Sequence, residues 1–311
     1  MRDGDHDAVS RAPTSSENGR LMRLATYASV SVACLLIALK TGAWIATESI
    51  AMLSTLVDSL LDALASIVNL FAVRHALTPA DREHRFGHGK AEALAAMAQS
   101  AFIAGSAVLL LFQAGERFIH PRPLAAPETG LWVMGVSILL TALLVAFQGW
   151  VVKRTNSVAI SADSLHYKGD ILINLAVAAA LVLGYWFGWL YADPMFGAAI
   201  AAYILYNAWL IVREALDMLM DRELPDEDRR KIREIAMSHP EVTSLHDMRT
   251  RRAGPTSFIQ FHLVMDAKLT LLKAHEVSDA VELELQEAYP DAEILIHQDP
   301  TGVEEEHPLP A

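Results

Sequence analysis

Met52-Leu53-Ser54-Thr55-Leu56-Val57-Asp58-Ser59-Leu60-Leu61-Asp62-Ala63-Leu64, apolar onward to Val73, sets two carboxylates inside a stretch greasy enough to cross a membrane. A second stretch, Leu165-His166-Tyr167-Lys168-Gly169-Asp170, opens the apolar run Ile171–Leu190 and repeats that spacing. On a helix, residues i and i+4 project from one face, one turn apart. An ionised carboxylate at bilayer depth costs roughly 2.5–3.5 kcal/mol on insertion scales. Asp58, Asp62 and Asp170 make three of them, so a partner of opposite charge is expected. Three carboxylates and one imidazole form a four-coordinate donor set for a divalent cation. Polar residues can also glue helices or line a cavity without binding anything. Two ligand pairs on separate segments are harder to explain as glue. Asp163, one turn before His166, reaches the same face and reads equally as a helix-start carboxylate favoured by the dipole.

The rest of the chain fits a membrane protein. Of 311 residues, 53% are hydrophobic, and mean hydropathy is +0.27, both high for a soluble globular chain. Six segments are long and apolar enough to span: 24–46, 49–73, 91–119, 131–152, 158–187 and 191–212. The connection after the second carries Arg74, Arg82, Arg85 and Lys90, and the one after the fourth carries Lys153 and Arg154. Those after the first and fifth carry no Lys or Arg, while Arg117 and Arg122 near the third weaken the asymmetry without reversing it. The positive-inside rule then puts both termini in the cytoplasm. Residues 1–23 are polar and read as a disordered cytoplasmic tail, and the first apolar run is too long for a cleavable signal. The transmembrane domain is expected over 24–213.

After Asp221 the pattern becomes that of a small soluble domain, 222–300, followed by a disordered end, 301–311. Helices are expected over Asp226–His239 and Leu271–Tyr289, and strands over Val242–Arg252, Thr256–Met265 and Ala292–His297. The second strand alternates, with Phe258, Gln260, His262 and Val264 against Ile259, Phe261, Leu263 and Met265. The order α-β-β-α-β implies an α+β, ferredoxin-like domain, a split β-α-β sandwich with helices on one face. The fold class is therefore a six-helix integral membrane protein with a C-terminal cytoplasmic domain.

Net charge is −12, and Arg222–Ala311, with 19 acidic and 10 basic residues, holds −9 of it. No basic face for nucleic acid is evident. The single cysteine, Cys34, excludes an internal disulfide and a thiolate cluster within one chain, and reads as a small packing residue. No G-x-x-x-x-G-K-[ST] loop occurs, so nothing points to a nucleotide as energy source, and H-E-x-x-H and G-x-S-x-G are absent too. The chain does not read as an enzyme and needs no organic cofactor.

Two further groups carry metal-ligand side chains. Asp81, His84 and His88 fall within eight residues of the basic loop 78–90, although loop histidines are common without a metal. His75, at a helix end beside Arg74, reads as an interfacial residue. The tail holds six of the chain's twelve histidines. His246, His262 and His297 fall on the three expected strands, His275 on the helix, and Asp299 follows the last strand, so they can gather at one edge of the sheet. His239 and His307 look incidental.

Read together, Val57-Asp58-Ser59-Leu60-Leu61-Asp62, Phe86-Gly87-His88-Gly89-Lys90-Ala91-Glu92, His166-Tyr167-Lys168-Gly169-Asp170 and His297-Gln298-Asp299-Pro300 resemble the cation diffusion facilitator family, close to the bacterial zinc and ferrous-iron efflux type. The resemblance runs from about Leu24 to Pro300. It implies a homodimer in the bacterial inner membrane that exports divalent metal by exchange for protons. It implies a transport site at Asp58, Asp62, His166 and Asp170, a loop site at Asp81, His84 and His88, and a binuclear tail site at the dimer interface. That last site matches His246, His262, His275, His297 and Asp299. The histidine-rich loop of many eukaryotic relatives is missing, since 153–157 is too short for one.

Imidazole favours Zn2+ over manganese or magnesium, and Cd2+ and Fe2+ also fit the donor set. Ligation needs neutral imidazole and ionised carboxylates, so protons compete for the same atoms, with His166 the natural switch. Two other readings stay open. A membrane-anchored sensor or buffer would bind without moving ions. An exporter could instead take Fe2+ or Mn2+ as its main substrate. An intramembrane metalloenzyme would need an open coordination position and a separate acid or base.

Overall fold

The computed structural model describes residues 15–47, 50–120, 128–189 and 191–303. Six long helices come first: α1 Ser15–Thr47, α2 Ile50–Ala76, α3 Lys90–Ile119, α4 Glu128–Thr155, α5 Val158–Phe187 and α6 Ala192–Leu219. Five of them are long and apolar enough to cross a membrane by length and composition. The sixth, α5, is 30 residues long and carries Asp163, Lys168 and Asp170 in its first half. The helices close a ring, each packing on its neighbours in the order α1, α2, α3, α6, α5, α4, and α5 also reaches α3, α2 and α1. The ring's outer surface is apolar, with Phe71, Leu109, Phe112, Leu139 and Tyr206 all more than half exposed. Water would penalise such a surface; a lipid environment does not.

The first helix begins earlier than the sequence pattern implied. Residues 15–23 continue α1 rather than forming part of a tail, because Met22 and Ala25 pack with Val73, Ala95, Val151 and Ala159 in a buried cluster. Met1–Thr14, the loop containing Arg122, and residues 304–311 lie outside the described residues. Cys34 is exposed on the bundle surface rather than packed inside it.

The C-terminal unit has α7 Asp226–Ser238, β1 Val242–Ala253, β2 Thr256–Met265, α8 Leu271–Ala288 and β3 Ala292–Pro300. The strands lie in the order β1-β2-β3, with β1 antiparallel and β3 parallel to β2. The crossover through α8 thus joins neighbouring strands, and no strand splits the pair: β1 leaves by a hairpin to the far side of β2. Both helices cover one face, where Ile232, Ala236, Ile259, Phe261, Leu263, Val281 and Leu285 form the core. The alternation of β2 sends His262 to the other, open face.

At one end that open face docks on the membrane domain. Phe258 meets the ring of Phe86 at 5.8 Å in an edge contact, and the Arg251 guanidinium lies 4.4 Å over the Phe258 ring. The β1–β2 turn pushes further in. Arg252 donates to the carbonyls of Thr155 (3.1 Å) and Asn156 (3.0 Å), the α4–α5 turn. Beside it, buried Glu92 of α3 accepts from Ser157 Oγ at 2.5 Å and from the Ala159 N–H at 3.4 Å, capping the start of α5. Lys90 and Arg251 both bind Asp221 in the linker, at 2.9 and 3.2 Å. Partial burial alone would raise the Asp221 carboxyl, but the Lys90 and Arg251 partners hold it below the ordinary carboxylate range.

This docking needs a bare backbone at Gly89. A Cβ there would lie 2.1 Å from the Ala253 carbonyl oxygen and 2.5 Å from its carbon. Since the obstacle is backbone, Gly89→Ala is expected to lift the hairpin and cost about 1–3 kcal/mol of docking. Limited proteolysis of the 220–225 linker should speed up accordingly. Gly115→Ala, where a Cβ meets open space, should leave the cleavage rate unchanged.

Candidate metal centres

Helices α2 and α5 bring the intramembrane residues together. His166 Nε2 lies 3.0 Å from Asp62 Oδ1 and 4.0 Å from Asp170 Oδ2. These three side chains offer ligand atoms all within 4.8 Å of one another. Asp58, one turn toward the start of α2, lines the same cavity of about 390 Å³ with Ser59, Ser137, Thr141 and Asn174, but stands outside the tight trio. Phe102 sets its edge against the His166 ring at 6.1 Å.

Asp163 does not face this cavity. It is fully buried against α4, where Gln148 Nε2 donates to its Oδ2 at 2.7 Å. The expectation that Asp163 reaches the His166 face fails, because at the packed α4–α5 contact its carboxyl turns to Gln148 instead. Next to it Ser29, Ser66 and Tyr167 share hydrogen bonds of 2.8–3.3 Å, tying α1, α2 and α5 behind the trio.

The loop residues close into a compact cluster. Asp81 Oδ1 accepts from the backbone N–H of Glu83 (2.8 Å) and His84 (2.6 Å), an Asx turn that bends the chain. The His84 N–H, and after it that of Glu83, holds the Asp81 carboxyl below the ordinary carboxylate range. Its two oxygens then lie 3.4 Å from His84 Nδ1 and 3.4 Å from His88 Nε2. His88 is the buried member, with Nδ1 3.3 Å from the Thr78 carbonyl, which leaves Nε2 for the cluster.

In the tail, strand register does the assembly. His246 pairs with His262, and His262 with His297, so three imidazoles stand in one row across the open face rather than at a sheet edge. Ring centroids are 5.0 and 4.5 Å apart along the row. Asp299 completes it, with Oδ2 2.8 Å from His262 Nδ1 and 3.4 Å from His246 Nε2, and Oδ1 3.3 Å from His297 Nε2. His275 does not join. It sits on α8, among the helices of the covered face, paired with Asp279 at 3.4 Å and largely exposed.

The cation efflux transmembrane domain family matches residues 26–220, and the cytoplasmic domain family of cation efflux proteins matches residues 224–301. The cation-efflux pump FieF of Pectobacterium carotovorum is 48% identical over 283 residues, covering 91% of this chain and 94% of its own. That of Yersinia enterocolitica is 49% identical over 284 residues, with 91% and 94% covered. That of Escherichia coli K12 is 48% identical over 285 residues, with 92% and 95% covered. The chain belongs to the cation diffusion facilitator family.

This family member is thus a transporter rather than an enzyme. The metal-bound C-terminal domain of the CzcD transporter from Thermotoga maritima is similar over 26% of this chain and 100% of that one, at 27% identity and a TM-score of 0.25. Near the transporter's clusters, His75, expected to be only an interfacial residue, stands beside the loop cluster, and Lys40 escaped the sequence reading. His75 brings its ring to 4.6 Å from that of His88, a contact made only because the loop folds back on α2. Lys40 of α1 donates to Ser59 Oγ at 2.7 Å and the Thr55 carbonyl at 3.1 Å, and lines the intramembrane cavity. A lysine in an apolar run carries the same signal as the aspartates. A larger cavity, about 490 Å³ between the domains near Arg154, Glu214 and Arg252, contains none of the clusters.

The Gln148–Asp163 bond is the transporter's clearest structural dependency at the site's rear. Gln148→Leu takes away the donor to a buried carboxyl group and is expected to destabilise the bundle by about 1–3 kcal/mol. Thermal melting in detergent measures it. Adding Asp163→Asn should restore part of the loss, since the two residues are directly coupled.

Proposed function

We propose that the chain exports a divalent metal from the cytoplasm, Zn2+ first and Cd2+ or Fe2+ close behind, in exchange for protons. The observation that carries this reading is the meeting of Asp62, His166 and Asp170 inside a cavity of the helical bundle, with Asp58 on its wall. One imidazole nitrogen among carboxylate oxygens suits a borderline ion better than magnesium or manganese. The high likeness to cation-efflux pumps supports metal export. The basic connections after the second and fourth spans support cytoplasmic termini in an inner membrane.

Proton exchange follows from the ligand atoms. At 3.0 Å, a proton on His166 Nε2 is shared with Asp62. A metal bound to that nitrogen takes the lone pair the proton would hold, so loading displaces a proton and reprotonation expels the metal. A membrane-anchored sensor remains the competing reading. It could place all its ligands in the tail, so a ligand trio inside the helical bundle favours transport.

The loop and tail clusters serve, in this proposal, as resident metal sites. Three imidazoles and a carboxylate fit zinc in the tail row, and two imidazoles and a carboxylate fit it in the loop. Bound metal would tie the tail of one chain to that of a second copy, with exposed His275 available to the shared interface, and bias the bundle between states.

In proteoliposomes an outward zinc flux is expected for the native chain and a loss of at least about 100-fold for Asp62→Ala, the scale seen when a metal site loses support. Removing the pH gradient should slow the native flux; equal rates with and without it would sink the exchange. For the tail, His262→Ala with Asp299→Asn should lower bound zinc and weaken dimerisation while leaving intramembrane binding intact. An unchanged metal load would remove the tail assignment.

A further inference from the structure

Lys40 is the basic side chain on the wall of the intramembrane cavity, among the three carboxylates and His166. Its ammonium is held at 2.7 Å by Ser59 Oγ and at 3.1 Å by the Thr55 carbonyl, both on the α2 segment that carries Asp58 and Asp62. Ser59 is buried, so the anchor is a fixed one. The amine is thus tied close to the acids without an ion pair to any of them within 4.0 Å among the described residues. The ammonium itself therefore occupies none of the carboxylate oxygens, yet its positive charge remains inside the same cavity.

We propose that Lys40 is a built-in counter-cation that sets the charge of the cargo at one divalent ion. This rests on the transport-site reading above. With neutral imidazole, Asp58, Asp62 and Asp170 contribute three negative charges and Lys40 one positive. The residual charge of minus two matches a single divalent cation, and the loaded site is neutral. A monovalent ion leaves one negative charge, and a trivalent ion one positive. Any residual charge inside a membrane-spanning bundle carries a desolvation cost, so the divalent load moves through the bundle most easily. Lys40 also repels the metal. It weakens binding and hastens release, which a transporter needs more than tight capture.

The competing reading makes Lys40 a staple holding α1 against α2. The two differ in sign. Losing a staple loosens the site and raises the zinc KM; losing a counter-charge tightens the site and slows release.

Zinc flux by the full chain in proteoliposomes separates them. Lys40→Gln keeps a donor for Thr55 and Ser59 but loses the charge, and is expected to lower the KM about tenfold and the maximal rate by a similar factor. Inhibition by Tb3+, a trivalent probe, should strengthen over the native chain by about the same factor. Lys40→Arg should restore both readings. If Lys40→Gln does not fold, Lys40→Met takes its place with the same expectations. An unchanged or raised KM, or failure of Lys40→Arg to restore it, overturns the proposal. Asp62→Ala in parallel tests the site itself: flux surviving that change overturns the transport-site reading, whatever Lys40 does.

Discussion

Three carboxylates sharing one cavity inside a membrane-spanning bundle repel one another, and everything around them answers that repulsion. His166 stands 3.0 Å from Asp62. Lys40 is fixed on the facing helix by Thr55 and Ser59. Behind them Ser29, Ser66 and Tyr167 lock α1, α2 and α5 together. A charge in a poor dielectric is stable only if its surroundings are already oriented, so a site of this kind needs a rigid back wall. The bundle supplies one where α1, α2 and α5 lock together, with Gln148 of α4 holding Asp163 beside it.

The same polar economy joins the two domains. Glu92 is buried in α3 and caps the first turn of α5, while Arg252 from the tail caps the carbonyls of the turn before it. Helix ends inside a protein need partners for their free N–H and C=O groups. Here those partners come from another helix and another domain. The turn clasped by the tail is therefore the start of the helix that carries His166 and Asp170. Any shift of the β1–β2 hairpin is transmitted to a rigid element two turns from the site.

The three clusters are assembled by different means, and that decided how much of each could be read in advance. Asp81, His84 and His88 lie close in sequence, and the Asx turn follows from Asp81 itself. The tail row needed strand register: alternation in β2 puts His262 on the open face, but its alignment with His246 and His297 depends on how three strands pair. An irregularity after His246, where Asp247 has φ +46°, shifts the register of β1, and alternation does not reveal it. His275 was expected with the row and stands apart, since a helix on the covered face cannot reach the open one within one chain.

Sequence by itself determined the six apolar segments, the α-β-β-α-β order, and the pairing of Asp58 with Asp62 and His166 with Asp170. Each of these is a matter of local periodicity or of charge against an apolar background, which a single strand of text displays. Tertiary structure alone decided which helices meet, that Asp163 turns to Gln148, that His75 reaches His88, and that Lys40 shares the cavity with the acids. Those facts depend on helix rotation and crossing. The buried serines lock helices together and bare Gly89 lets the tail hairpin approach, and such effects appear only once two surfaces are in contact.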